Sequence, residues 1–182
     1  MGKRTERIRT YIRFDKKIVS AVRRLAKKGG RFYTRSIVRE AEINEKTFYN
    51  HYKSYDDFFE KKGEEVRKAV READTDTPVN APLNVYFENV LDRLYEVRGV
   101  LDIFIILNNT KLVDPILKAI RFRVYRTWRE KDDASYRIFT ALSIDEFLKW
   151  RNEAYSKEKI AEHAKNIAWF ADHAKDIKNH RV

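Results

Sequence analysis

Five glycines and three prolines are all that 182 residues offer for making turns. A fold of many short strands needs a turn signal about every ten residues, so this supply favours long helices joined by few loops. Cysteine is absent, which removes disulfides and thiolate metal ligands and suits a reducing cytosol. Apolar residues make up 43% of the chain, too many for a disordered segment even with 37% of residues charged. At this length the chain forms one domain or two small ones. The expected class is all-α.

Apolar periodicity places the helices. Ile8, Tyr11, Ile12, Phe14, Ile18, Val22 and Leu25 recur largely at three-to-four spacing, predicting an amphipathic helix over about 5–28 that stops at Gly29-Gly30. Thr34 is placed to cap a short helix through Ala41, and Asn44 to cap another from Glu45 to about Tyr52 that buries Phe48. Ser54 with Asp57 forms a capping box that opens a helix to about Ala73, with Phe58, Phe59, Val66 and Val70 inward. The stretch DTDTPVNAP, residues 74–82, reads as a linker. Helical patterns follow at about 83–98, 100–109, 134–154 and 157–178, the last capped by Ser156. Asp114-Pro115 reads as the cap and first residue of a helix to about Glu130. VLDIFIIL, residues 100–107, has a strand-like composition, but no partner strand lies near it.

The opening MGKRTERIRTYIRF is basic without an uninterrupted apolar core, so no signal peptide is expected. The longest uncharged apolar run, Ile103 to Leu107, is too short to span a bilayer. A soluble, cytoplasmic protein with no membrane partner is the expectation. Charge is unevenly spread: residues 1–53 hold 16 Lys and Arg against 5 Asp and Glu, whereas residues 54–182 hold 23 of each. A basic module beside a neutral one is the footprint of a polyanion-binding head on a neutral body.

Within the basic module, EINEKTFYNHYKS (residues 42–54) crowds aromatic and hydrogen-bonding side chains together. Two residues, Glu42 and Ile43, separate the helix ending at Ala41 from the cap Asn44. So tight a turn sets two short helices at a steep angle, with Ile37, Ile43 and Phe48 locking them against the first helix. That is a helix-turn-helix, whose second helix suits the major groove. Glu45, Lys46, Thr47, Tyr49, Asn50, His51 and Lys53 then face outward, with side chains able to bond phosphates and base edges. Helical phase puts Tyr52 in the core and Tyr49 on the outside. With Asn44, and with Thr34 and Arg35 at the start of the preceding helix, they form the candidate DNA-binding set.

The run IVREAEINEKTFYNHYKSYDDFF, residues 37–59, resembles the N-terminal domain of TetR-type bacterial transcriptional regulators. Ile37, Ala41, Ile43, Thr47, Phe48, Tyr49, His51, Tyr52, Lys53 and Ser54 fall in register with that family's pattern. The resemblance covers about residues 10–73 by motif; the remainder is similar in being helical and of plausible length. It implies a helix-turn-helix DNA-binding domain over 1–53 and a helical effector and dimerisation domain over 54–182, with 54–73 as connecting helix and 74–82 as linker. It further implies a homodimeric repressor, or less often an activator, bound to a pseudo-palindromic operator in double-stranded DNA. Thr47, Tyr49, His51 and Lys53 would contact phosphates, and Glu45, Lys46 and Asn50 would sit where base-reading positions vary. Two departures stand out: Glu42 replaces the usual turn glycine, and Lys46 replaces a small residue before the threonine.

In the body, Ile160, Ala164, Ile167, Ala171 and Ala174 form a stripe of small and apolar residues. The stripe fits the paired helices of a family dimer interface or packing within one subunit. Phe104, Phe122, Tyr125, Trp128 and Tyr136 belong to an aromatic-rich set that either lines a cavity for a small-molecule effector or fills a solid core. Arg121, Arg123, Arg126 and Arg129 suggest a solvated basic face, and His163, His173 and His180 exposed or packed side chains. Neither a Gly-rich phosphate loop, nor a Ser/His/Asp context, nor a metal-spaced histidine pair occurs. No catalytic residue, metal or cofactor is expected. A DNA-binding protein without an effector, controlled by a protein partner, and a non-specific RNA binder are the remaining readings.

Overall fold

The computed structural model describes residues 2–29, 32–107, 110–128 and 132–179. Arg129 and His180 lie outside them. Among the described residues there are nine helices and no strand: α1 (Gly2–Lys27), α2 (Thr34–Ala41), α3 (Glu45–Tyr49), α4 (Tyr55–Asp76), α5 (Leu83–Glu96), α6 (Arg98–Ile106), α7 (Thr110–Thr127), α8 (Asp133–Asn152) and α9 (Ile160–Asn179). The all-α expectation holds, and VLDIFIIL lies mostly in helix α6.

The chain divides into two compact units, residues 1–66 with 99–109, and residues 67–98 with 110–182. The division falls inside α4 rather than at residue 53, and α6 joins the first unit. Chemistry explains α6: its Phe104 packs edge-on to Phe59, and its Asp102, 2% exposed, accepts from Arg23 of α1 at 2.5 Å. The core of this unit is Ile18, Val22, Ile37, Phe48, Tyr52, Phe58 and Ile103, with Val19, Leu25, Phe32, Val38, Ile43 and Phe59 partly buried around it. Helix α1 starts earlier than its apolar stripe requires. Ile8, Tyr11 and Ile12 stay exposed, and close packing begins at Phe14. It ends as expected, with Gly29 in the left-handed region at φ 65°, where a side chain would be strained.

In the second unit, α9 packs against both α5 and α8. Leu83, Tyr86, Phe87, Val90 and Leu91 of α5 are buried, as are Phe139 and Trp150 of α8. Helix α7 begins at Thr110, not Asp114, and takes Pro115 into its second turn. A proline there forgoes one intrahelical N–H bond and crowds the carbonyl four residues before it, a cost confined to the first turns of the helix. Helix α9 begins at Ile160, because Ser156 turns its hydroxyl to Glu158 instead of capping. The loop before it has Ala154 and Tyr155 at φ 56°. Tyr155 N–H donates to the Trp150 carbonyl and Trp150 Nε1 donates to the Ser156 carbonyl, so α8 closes around its own terminal tryptophan. Described helices include none long and apolar enough to cross a membrane.

Candidate nucleic-acid interface

The turn between α2 and α3 is closed by its backbone. Glu42 lies in the left-handed region, φ 52° and ψ 50°. Its N–H donates to the Arg39 carbonyl, and the Ile43 N–H reaches back to the Val38 carbonyl, each at 3.2 Å. This pair of bonds is the Schellman termination that a glycine usually serves, here adopted by a residue with a Cβ at a cost of about 1 kcal/mol. Ile43 and Val38 complete it by packing on the same core. Arg24 of α1 secures the end of α2, donating to the Glu40 carboxylate at 2.6 Å and to the Glu40 carbonyl at 2.7 Å. The hydrogen bonds from Arg24 and then Lys28 hold the Glu40 carboxyl below its ordinary pKa.

Asn44 caps α3 as expected: its Oδ1 accepts from the Thr47 N–H at 2.7 Å and the Thr47 hydroxyl at 2.8 Å. The Thr47 proton is thus spent inside the chain. The helix itself is short, Glu45 to Tyr49, and Asn50 ends it three residues before the expected limit. Five residues cannot hold a helix alone, so the cap and the anchor Phe48, 0% exposed, hold it. Burial of that ring contributes about 3 kcal/mol. Around it, Glu45, Lys46, Tyr49, Asn50 and Lys53 are exposed. Tyr52 is buried and Tyr49 is 52% exposed, as helical phase predicts.

His51 is the correction in this segment. Expected on the outward face, it is 5% exposed and stacks under Tyr11 of α1, because it follows the buried Phe48 by three residues and so shares its face. Its carbonyl accepts from Lys61 Nζ at 3.1 Å, and its Nδ1 has no hydrogen-bond partner. Burial first, then Lys62 and Lys61, lower its pKa against the pull of Asp15. The capping of α2 also differs: Tyr33 is the cap residue and Thr34 the first helical one. Ser36 Oγ accepts from the Tyr33 N–H and donates to the Tyr33 carbonyl. Arg35 is exposed and Thr34 half-buried. Ser54 caps α4 through the Asp57 N–H, and the Asp57 carboxylate returns to the Lys53 N–H.

Beneath the interface lies a buried polar cluster that sequence reasoning missed. Lys62 of α4, 3% exposed, donates to Asp15 of α1 at 2.7 Å and to Glu65 at 2.6 Å, and the Tyr52 hydroxyl donates to the same Asp15. Burial pulls the Lys62 pKa down, but its bonds to Asp15 and Glu65 outweigh this and raise it. The signal was available: Asp15 is a lone acid at an apolar phase position, four after Tyr11 and three before Ile18. Exposed Tyr33, the cap of α2, and Tyr55, the first residue of α4, were also missed.

The other candidate sites do not assemble as expected. Phe104 belongs to the first unit's core, and Phe122 is 63% exposed. Tyr125, Tyr136 and Phe139 pack ring against ring, with Trp128 on Tyr125. Their polar tips are satisfied internally: Tyr125 donates to Asp133, Tyr136 to the Leu117 carbonyl and Trp128 to the Ala171 carbonyl. Tyr136 and Phe139 are buried in the core, while Tyr125 and Trp128 lie half-buried at its edge. Arg123, expected on a solvated face, is 3% exposed and bonds the Thr77 and Pro78 carbonyls over the Tyr86 ring. The stripe of Ile160, Ala164, Ile167, Ala171 and Ala174 is buried within the second unit, each residue 5% exposed or less. His163, also buried, lies between Glu146 (2.8 Å) and Glu153 (3.2 Å), and His173 stacks on Trp169. Described residues include no group of three or more His, Asp or Glu placed to hold a metal ion.

Compared with known protein families, curated proteins and solved structures, the chain matches none.

Proposed function

We propose that the chain is a sequence-specific DNA-binding transcriptional regulator of the TetR type, a repressor that binds a pseudo-palindromic operator as a homodimer. The observation that carries this reading is the exposed row Glu45, Lys46, Tyr49, Asn50 and Lys53 around a helix pinned by Phe48, its cap and a closed turn. Lysines and the tyrosine hydroxyl suit phosphates, while Asn50 can bond an adenine edge with both amide groups. The basic surplus of residues 1–53 supplies the sequence-independent part of the affinity. In this reading His51 acts from inside, holding α1 to the recognition segment.

Two copies would present two recognition helices to two half-sites. The surface for a second copy is not the buried stripe of α9. Ile144 and Leu148, one turn apart on α8, and Trp169 on α9 are exposed apolar side chains that pairing would cover.

Titration of duplex DNA tests the reading. Lys53→Ala weakens all sequences alike and flattens the salt dependence, whereas Asn50→Ala relaxes preference at one base position. Unchanged binding in both variants would sink it. A second reading keeps the DNA head and replaces the effector by a protein partner. The packing of Tyr136 and Phe139 into a core favours it. A small molecule found bound among residues 83–139 would count against it.

A further inference from the structure

The cationic surface of the first unit continues beyond α3. Nine consecutive residues of α1, 5–13, are exposed. They carry Arg7, Arg9 and Arg13 against one acid, Glu6. Among the described residues neither Arg7 nor Arg9 has an ion-pair partner. Tyr11 ties this stretch to the unit by stacking on His51, which follows α3 by two residues. Arg7 precedes Tyr11 by four residues, so it shares that face and lies about 6 Å further along the helix axis. The free turns of α1 therefore leave the unit beside the end of the proposed recognition segment and carry unpaired guanidinium groups outward.

We infer that this first part of α1 is a second DNA contact, a rigid helical arm whose Arg7, on the Tyr11 face, and Arg9, about 200° further round the helix, meet phosphates of the two strands flanking the base-reading site. The inference rests on the duplex-binding reading above. Guanidinium groups pair with phosphate oxygens through parallel hydrogen bonds, and an arm already helical loses little chain entropy on docking. An anionic membrane is the competing surface for a basic helix, but it needs a broad apolar face. Here Tyr11 is committed to His51, leaving the exposed Ile8 and Ile12 beside it.

The test uses the full chain, a duplex of about three helical turns and a series of salt concentrations. The Arg7→Ala/Arg9→Ala variant is expected to keep its circular dichroism spectrum and to lose about tenfold affinity for every duplex alike. Its slope of log affinity against log salt should fall by about two, with the ranking of sequences unchanged. Arg7→Lys/Arg9→Lys should retain the slope. If the alanine variant binds like the parent while Lys46→Ala/Lys53→Ala binds more weakly, the arm is wrong and the duplex-binding reading stands. If the parent chain binds no duplex, both fall. Loss of binding to phosphatidylserine vesicles in the alanine variant, with duplex affinity intact, also overturns the arm.

Discussion

The Tyr11 ring lies on the His51 imidazole, centroids 4.0 Å apart and planes inclined by 21°. This contact joins the long first helix to the segment that follows α3. It also buries a histidine whose Nδ1 has no partner, so the ring is kept neutral at a cost in stability.

The pH dependence follows from that burial. A histidine whose folded pKa is lowered binds fewer protons when folded than when unfolded, so stability falls as pH drops below the ordinary value of about 6.5. His51→Phe retains an aromatic surface for Tyr11 and removes the titration. Urea denaturation near pH 7 should show it no less stable than the parent, and near pH 5 more stable. Its duplex affinity should be unchanged, because the side chain is buried.

Glu42 occupies a backbone conformation that suits glycine. Glu42→Gly should stabilise the chain by up to about 1 kcal/mol, the relief of left-handed strain less the greater freedom of glycine when unfolded. Glu42→Val, with a branched Cβ, should destabilise it. Paired thermal melts check both signs.

The Asp15–Lys62 pair, with Lys62 buried and Asp15 partly so, is shared with Tyr52 and Glu65. Asp15→Ala should cost about 2 kcal/mol, because it leaves the buried ammonium group with Glu65 alone and takes the acceptor from the Tyr52 hydroxyl. Combining it with Lys62→Met should recover part of that loss, since two apolar groups need no partner. The raised Lys62 pKa places its contribution below the ordinary lysine value of about 10.4, with loss as pH rises through the folded value. A double-mutant cycle by denaturation measures the coupling.

Glu146 of α8 accepts from His163 and Asn166 of α9 at 2.8 and 2.6 Å. Burial raises its pKa, but the bonds from Asn166 and His163, with the charge of Lys149, leave it lowered. Its stabilisation is therefore complete above about pH 4.3 and is lost as pH falls through the folded value. Glu146→Ala should cost about 2 kcal/mol near pH 7, read by denaturation of the intact chain.

The helices were legible because periodicity and caps are local. Asn44, Ser54 and Gly29 did what their chemistry predicts, and Phe48 and Tyr52 were placed inward by phase alone. What failed was tertiary. His51 shares the face of Phe48, three residues before it, and what covers it is Tyr11 of α1, a contact that spacing does not show. The stripe of α9, expected at a dimer interface, is buried within its own unit, because spacing cannot say whether the facing helix belongs to the same chain. The aromatic residues of α6 to α8 were visible as a set, yet only their contacts show that Phe104 belongs to another unit and that Tyr136 and Phe139 fill a core. Asp15 was readable in principle, an acid on an apolar stripe that called for a buried partner.

Selection of bound duplexes from a random pool by the intact chain tests the DNA-reading proposal most directly. A pseudo-palindromic consensus, with half-sites about one helical turn apart and one base position relaxed by Asn50→Ala, is the predicted result. A pool that stays random while the chain still binds it, or no binding at low salt, would contradict the proposal.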